Sequence, residues 1–314
     1  HQRDEGTISV GLFTSLNEAI ETGRRAECKV QISHVKCDFQ KVWGKADKVL
    51  ALIENAVDEG LDVAGDQYPY PRSSTGITGA LFPRWALSGG REQTLKIMAN
   101  EDSRGELIDG INEMIDQGIG PEAVLIARYV PDESLEGKNL AEISDLMRIP
   151  PAETVLSMYE KGEAMVIEYS MDEDDVDKFA KHPLIAVASD GSSVSKDGVL
   201  SVGKPHPRSY GTNPRFIQKF VNEKKLVSIQ EAVRKMTSMP AQRLGLTNRG
   251  RLTPGYAADI VIMDLPNVEE KATFVDPHQY PKGITHVIVN GEIVIKDEEF
   301  TGKTPGKMIT NFNS

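Results

Sequence analysis

Two short β-type runs that bracket one amphipathic helix constrain this 314-residue chain more than anything else in it. Residues 28–34 (CKVQISH) form the first run and end in polar residues. Residues 44–59 carry Val49, Leu50, Ile53, Ala56 and Val57 at helical spacing, and Gly60 follows where a helix-ending glycine belongs. Residues 61–65 then run into Asp66-Gln-Tyr-Pro-Tyr70. Strand, helix and strand at this spacing predict βα units and a parallel sheet. In such sheets, ligands bind at the carboxyl edge of the strands.

The rhythm breaks between residues 76 and 181. Helical patterns at 91–100, 106–117 and 152–161, with β-type runs at 123–129 and 164–169, read as an insertion with its own small core. Residues 183–190 resume the parallel-strand pattern, a Ser-, Gly- and Lys-containing loop fills 191–207, and helices are expected at 214–224 and 228–238. The tail is β-rich. Asn290-Gly291 between two apolar runs marks a hairpin, because a type I′ turn needs positive φ at both central residues.

Charge narrows the function. Lys and Arg number 36 against 47 Asp and Glu, a net charge of −11. That balance disfavours nucleic acid and anionic membrane surfaces as partners. No stretch of about 18 apolar residues occurs to span a bilayer, and no leader segment is expected. With only Cys28 and Cys37, a disulfide framework is excluded and a reducing, cytoplasmic setting is expected. Neither a Gly-rich phosphate loop nor the G-x-S-x-G nucleophile motif occurs.

The candidate chemistry lies at predicted strand ends. His34 ends the first run, with Lys36 just beyond, and His1 precedes His34 by about one βα unit. Two histidines at the carboxyl edge of adjacent strands can share a metal, although a histidine at a strand end is as readily satisfied by local hydrogen bonds. Asp190, in Ser189-Asp190-Gly191, also ends a strand; it suits a metal ligand or a proton acceptor, or an Asx-turn before Gly191. Arg208 in His206-Pro-Arg208 matches a carboxylate in its planar fork, where a solvated loop arginine is the plain alternative. Lys36 divides between an anion contact and a surface charge, and Tyr68 and Tyr70 between substrate wall and packing. His182, His278 and His286 read as structural. The acidic run 171–177 reads as a helix N-terminus, since it lacks the glycine and final glutamate of a calcium loop.

These pieces, in this order, resemble the D-aminoacylase (N-acyl-D-amino-acid deacylase) branch of the amidohydrolase superfamily. The resemblance rests on His1-Gln-Arg-Asp-Glu-Gly6, Gln31-Ile-Ser-His-Val-Lys36, Asp66-Gln-Tyr-Pro-Tyr70 with Ser73-Ser-Thr-Gly76, Ser189-Asp-Gly191, His206-Pro-Arg-Ser-Tyr-Gly-Thr212 and Gly250-Arg-Leu-Thr-Pro-Gly-Tyr-Ala-Ala-Asp259. It covers essentially the whole chain. It implies an α/β fold: an incomplete TIM-like (β/α)8 barrel with an inserted lid and a small C-terminal β-sandwich portion. Residues 1–75 would supply barrel strands five to seven with their helices, 76–181 the lid, 182–247 the last barrel strand and helices, and 248–314 the sandwich portion.

The resemblance further implies zinc-dependent hydrolysis of N-acyl-D-amino acids to a D-amino acid and a carboxylate. His1 and His34 match metal ligands, Asp190 the catalytic acid/base, and Lys36, Tyr68, Ser74 and Arg208 positions around the substrate. The superfamily's opening His-x-His is absent. The expectation is therefore the carboxyl-terminal part of such an enzyme, with an incomplete metal site. The competing readings are another amidohydrolase, acting on cyclic amides or dipeptides, and a non-catalytic binding protein.

Overall fold

The structure is a computed structural model that describes residues 1–309. Helix α1 (Leu12–Ala26) leads into β1 (Val30–Ile32), α2 (Ala46–Asp58) and β2 (Val63–Gln67). The insertion contains β3 (Arg72–Gly76), α3 (Ile77–Leu81), α4 (Arg84–Leu87), α5 (Gly90–Ala99), α6 (Glu101–Gln117), β4 (Val124–Arg128), α7 (Leu140–Met147), α8 (Pro151–Lys161) and β5 (Met165–Tyr169). Next come α9 (Glu173–Lys181), β6 (Ile185–Val187), α10 (Arg208–Phe216), α11 (Ile229–Met236) and α12 (Ser238–Arg243). The tail holds β7 (Ile260–Met263), β8 (Ile284–Val289), β9 (Glu292–Lys296) and β10 (Glu299–Phe300).

The predicted parallel sheet is present, in the order β1-β2-β6. Its register places Gly65 beside Ile32 on one side and Ile185 on the other. One face is covered by apolar residues of α1 (Leu12, Leu16, Ile20), α2 (Val49, Ile53, Ala56) and α9 (Phe179), all buried. The opposite face carries Ala64, Asp66 and Ala186 and opens on a cavity of about 440 Å³ beside Arg243. The helical spacing of residues 44–59 therefore delivers one stripe, and that stripe meets the sheet.

The insertion has its own core, as its apolar pattern predicts. An antiparallel sheet in the order β3-β5-β4 packs against α3, α6, α7 and α8 through Ile77, Leu81, Ile111, Ile143, Val155 and Val166. The sheet β10-β9-β8-β7 closes the described chain, with Asn290 and Gly291 both at positive φ as the hairpin signal requires. The acidic run does begin a helix: Asp172 caps α9 by accepting from the amides of Asp174 and Asp175.

Several elements differ from the sequence expectation, four of them as follows. Strand β3 (RSSTG) has no apolar alternation; its ladder with β5 makes it a strand. Helix α1, with Leu12, Leu16 and Ile20 on its buried side, and α7, with an Asn139/Glu142 capping box, fall where no element was expected. The helix expected from residue 214 begins at Arg208 instead. Pro214 lies inside α10, and a π-helical turn over Ile217–Glu223 follows it. Among the described residues, no helix is long and apolar enough to cross a membrane.

Ile53 is fully buried between α2 and the parallel sheet. Ile53→Ala is expected to cost about 2–5 kcal/mol of stability. The check is a lowered urea midpoint at unchanged slope; a loss under 1 kcal/mol would mean that α2 does not anchor the sheet.

Candidate active site

The residues that follow β1 and β6 of the parallel sheet, His34 and Asp190, line one cavity. His34 follows β1 at φ 41° and Asp190 follows β6 at φ 46°, both in the left-handed region that non-glycine residues seldom occupy. Asp66, near the end of β2, pins the first of these: one carboxylate oxygen accepts from the His34 backbone amide at 2.8 Å, the other from the Gln31 side chain at 2.6 Å. The strained turn is thus held by a neighbouring strand.

The cavity in front of these ends measures about 330 Å³. His1, His34, Lys36, Tyr68, Ser74, Asp190 and Arg208 all line it. His1 Nδ1 and His34 Nε2 lie 2.9 Å apart. The other His34 ring nitrogen, Nδ1, sits 2.9 Å from Glu5 Oε1. A histidine that gives its outer N–H to a carboxylate presents a lone pair on the inner nitrogen, which is the ligating arrangement. Two nitrogens on one tetrahedral ion with bonds of about 2.0–2.1 Å would be about 3.3 Å apart, so the pair is close to that spacing. The residues fit part of a metal centre: among the described residues no group of three or more His, Cys, Asp or Glu side chains is placed to hold an ion.

Glu5 is the organising carboxylate. Its Oε2 accepts from Lys36 Nζ at 2.6 Å, and Lys36 is buried. Burial works against both charges, and their mutual attraction outweighs it: the Glu5 carboxyl falls below its ordinary value and the Lys36 ammonium is held charged. Lys36 Nζ also lies 2.8 Å from His34 Nδ1 and above the Tyr68 ring. Arg208, on the same cavity, pairs with Asp190 at 2.9 Å and also lies over the Tyr68 ring, its guanidinium 4.6 Å from the ring centre. Burial pushes the Tyr68 hydroxyl up to about 12, against the pull of Lys36 and Arg208, so it is a neutral donor at neutral pH.

The turn around Asp190 is not an Asx-turn: the Ser192 amide, which such a turn would direct at the Asp190 side chain, donates to Ser209 Oγ at 3.2 Å. Ser74 contributes a cavity wall on β3, where its carbonyl lies 3.5 Å from Arg208. Tyr70 is a packing residue, bonded to Glu270. His206 is structural as well. It accepts from the Arg208 amide at 3.0 Å and meets the Arg72 carbonyl at 3.0 Å, and burial followed by the Arg208 charge holds it well below its ordinary value, hence neutral. Cys37 is buried in the core under the sheet.

Sequence reasoning did not single out Glu5, Asp66, Gln2, Asp38 or Glu168, of which all but Asp66 line the same cavity. Gln2, Glu5 and Asp66 had a signal available, their places in the His1–Gly6 and Asp66–Tyr70 blocks.

Burial pushes the Asp38 carboxyl up to about 6, with Lys36 opposing and Glu5 reinforcing. Between about pH 4 and 6 the folded state therefore binds more protons than the unfolded one, so stability falls as pH rises through that window. In the metal-free protein, Asp38→Asn is expected to remove this slope and to stabilise the fold at pH 8 by on the order of 1–2 kcal/mol. Urea unfolding from pH 4 to 8 measures both; an unchanged slope assigns the effect to another group.

Residues 123–295 match the amidohydrolase family. The N-acyl-D-glutamate deacylase of Alcaligenes xylosoxydans xylosoxydans is 33% identical over 93% of this chain and 50% of its own length. The D-aminoacylase of the same organism is 31% identical over 98% of this chain and 54% of its own. Among solved structures, N-acyl-D-glutamate deacylase from Bordetella bronchiseptica, complexed with zinc and a phosphonate mimic of the tetrahedral intermediate, superposes with a TM-score of 0.73 at 29% identity, covering 94% of this chain and 52% of that one. A D-aminoacylase structure described by its binuclear metal centre gives 0.74 at 30% identity over 96% and 53%. The chain spans about half the length of the curated relatives it matches. It belongs to the amidohydrolase superfamily, in the D-aminoacylase branch.

Proposed function

We propose that this chain carries part of the active site of a zinc-dependent hydrolase of N-acyl-D-amino acids. One observation carries the reading: the His1–His34 nitrogen pair and the Asp190–Arg208 pair line one cavity. The relatives named as N-acyl-D-glutamate, N-acyl-D-aspartate and D-amino acid deacylases supply the substrate class.

His1 and His34 would hold the ion through the two converging nitrogens, with Glu5 fixing the His34 ring. When bound, zinc supplies a Lewis acid beside the reacting carbonyl and makes water acidic near neutral pH. Asp190 takes the proton of the attacking water and returns it to the leaving nitrogen. Arg208 spends only part of its five-donor fork on Asp190, and its remaining N–H groups meet the substrate carboxylate. Lys36 adds a fixed charge, and Tyr68, contacted by both cations, is the wall against which the substrate is positioned.

In the same reading, the parallel sheet is a segment of a TIM-like barrel wall, and residues 76–181 are a lid. Gly79, Ala80, Arg84 and Glu168 of that segment roof the cavity. Residues 182–247 continue the barrel. Residues 248–314 are a portion of a β-sandwich, of which 310–314 lie outside the described residues. A reducing, cytoplasmic location remains part of the proposal, on the two unpaired cysteines.

The test is hydrolysis of N-acetyl-D- against N-acetyl-L-amino acids by the zinc-loaded protein. Turnover is expected for D-substrates only, and removal of the metal by a chelator should abolish it. Asp190→Asn is expected to lower kcat by about 10²–10⁴-fold while zinc content is retained, and His34→Ala to lose zinc. Metal-independent binding of acyl amino acids without turnover would support the binding-protein reading instead.

A further inference from the structure

The tail of the chain reaches back toward the site through Glu270, which lies between β7 and β8. Its side chain is only 8% exposed. Oε1 accepts from the Tyr70 hydroxyl, and Oε2 accepts from Arg215 Nη1 at 3.0 Å. Arg215 in turn donates through Nε to the Pro69 carbonyl at 2.6 Å and lies over the Tyr70 ring, 4.5 Å from its centre. The Glu270 backbone is fixed as well, its amide donating to Gln218 Oε1 at 2.8 Å. Gly211, in α10, makes room for the carboxylate. A Cβ there would come within 2.8 Å of the Tyr70 hydroxyl and closer still to Glu270 Oε1.

These contacts converge on the turn that carries Arg208. The Tyr70 ring meets His206 edge to face with centres 5.0 Å apart, and Phe274, from the same tail segment, meets that imidazole at 5.2 Å. Both His206 ring nitrogens are used. Nδ1 accepts from the Arg208 amide, so Nε2 carries the proton and donates to the Arg72 carbonyl. The imidazole therefore has one orientation, and it holds the first amide of α10. The Arg208 guanidinium itself rests on the Tyr68 ring and on Asp190, whose side chain is 40% exposed. An exposed carboxylate holds its partner weakly, so the place of the guanidinium depends on how its backbone is held.

We propose that Glu270 and Phe274 are positioning residues for Arg208: the tail latches the His206–Arg208 turn through Tyr70 and so sets where the guanidinium meets the substrate carboxylate. The inference rests on the deacylase reading. Neither residue lines the cavity, and both act through other side chains.

The carboxylate contact is the same in the ground and transition states, so weakening it raises KM and spares kcat. The probes are N-acetyl-D-glutamate, N-acetyl-D-aspartate and N-acetyl-D-leucine. In the zinc-loaded protein, Glu270→Ala is expected to raise KM about tenfold or more and to change kcat less than about threefold. A merely structural role would instead lower the share of folded enzyme, which reduces kcat at unchanged KM. Gly211→Ala displaces the carboxylate while favouring the helix, and should give the same rise. Glu270→Gln keeps an acceptor for Tyr70 and should hold KM within about threefold. Phenylglyoxal labelling of Arg208, read by peptide mass spectrometry, reports the arginine directly. It should run about tenfold faster in Glu270→Ala, as the turn opens locally. An unchanged KM or an unchanged labelling rate in Glu270→Ala overturns the proposal. If the unsubstituted protein hydrolyses none of the three probes, the deacylase reading itself fails. The labelling rate then decides the latch alone: faster in Glu270→Ala supports it, and unchanged overturns it.

Discussion

The parallel ladder joining β1, β2 and β6 is the constraint on which everything else depends. It fixes where each strand stops, and the stopping points carry His34, Asp66 and Asp190. The ladder also accounts for Gly65. In its register Gly65 lies between Ile32 and Ile185, and a Cβ there would come within 2.8 Å of the Ile185 side chain. Close approach of the three strands brings Asp66 within reach of the His34 amide, and that bond holds His34 in a left-handed conformation it would otherwise leave.

Around that edge, the charges are arranged in closed pairs. Glu5 with Lys36 and Asp190 with Arg208 each hold a carboxylate against a cation, and both cations contact the Tyr68 ring. Of the two, only Glu5–Lys36 is enclosed at both ends, and such a pair gains little stability over an apolar replacement, because both ions lose their hydration. What it gives is position. Glu5 orients the His34 ring by one oxygen and fixes Lys36 by the other, so the histidine and the buried cation of the cavity share one anchor. The insertion completes the enclosure with its own core and contributes Ser74 and Glu168 to the cavity from adjacent strands.

Much of this was legible in the residues. The 3.6-residue stripe of residues 44–59, the glycine after it, the Asn290-Gly291 turn and the acidic start of α9 each depend on chemistry within a few positions, and each appears in the structure. The seven residues read as site candidates line one cavity; strand-end position is a local signal for His34 and Asp190, whereas Ser74 was legible only through the family resemblance. The failures have a common cause. Strand β3 is polar and exists through its partner β5. The helix at Arg208 runs through Pro214, a residue that in isolation marks a start, because packing of Phe216 and Phe220 holds the turn that follows. Glu168 gives no local signal of its own, and it is buried because β5 is the central strand of a sheet covered on both faces.

The sequence by itself determined the kinds of element, their order, and the side chains at the strand ends, since helix stripes, turn glycines and capping residues act over one or two turns of chain. Tertiary structure alone decided which polar groups are paired and which line the cavity. Glu5 meets His34 and Lys36 across about thirty residues of chain. Gln2 and Glu168 meet the same space from opposite ends of more than half the protein. Pairing and desolvation depend on distance through space, and the chain fixes that distance only once the sheet and the insertion have packed.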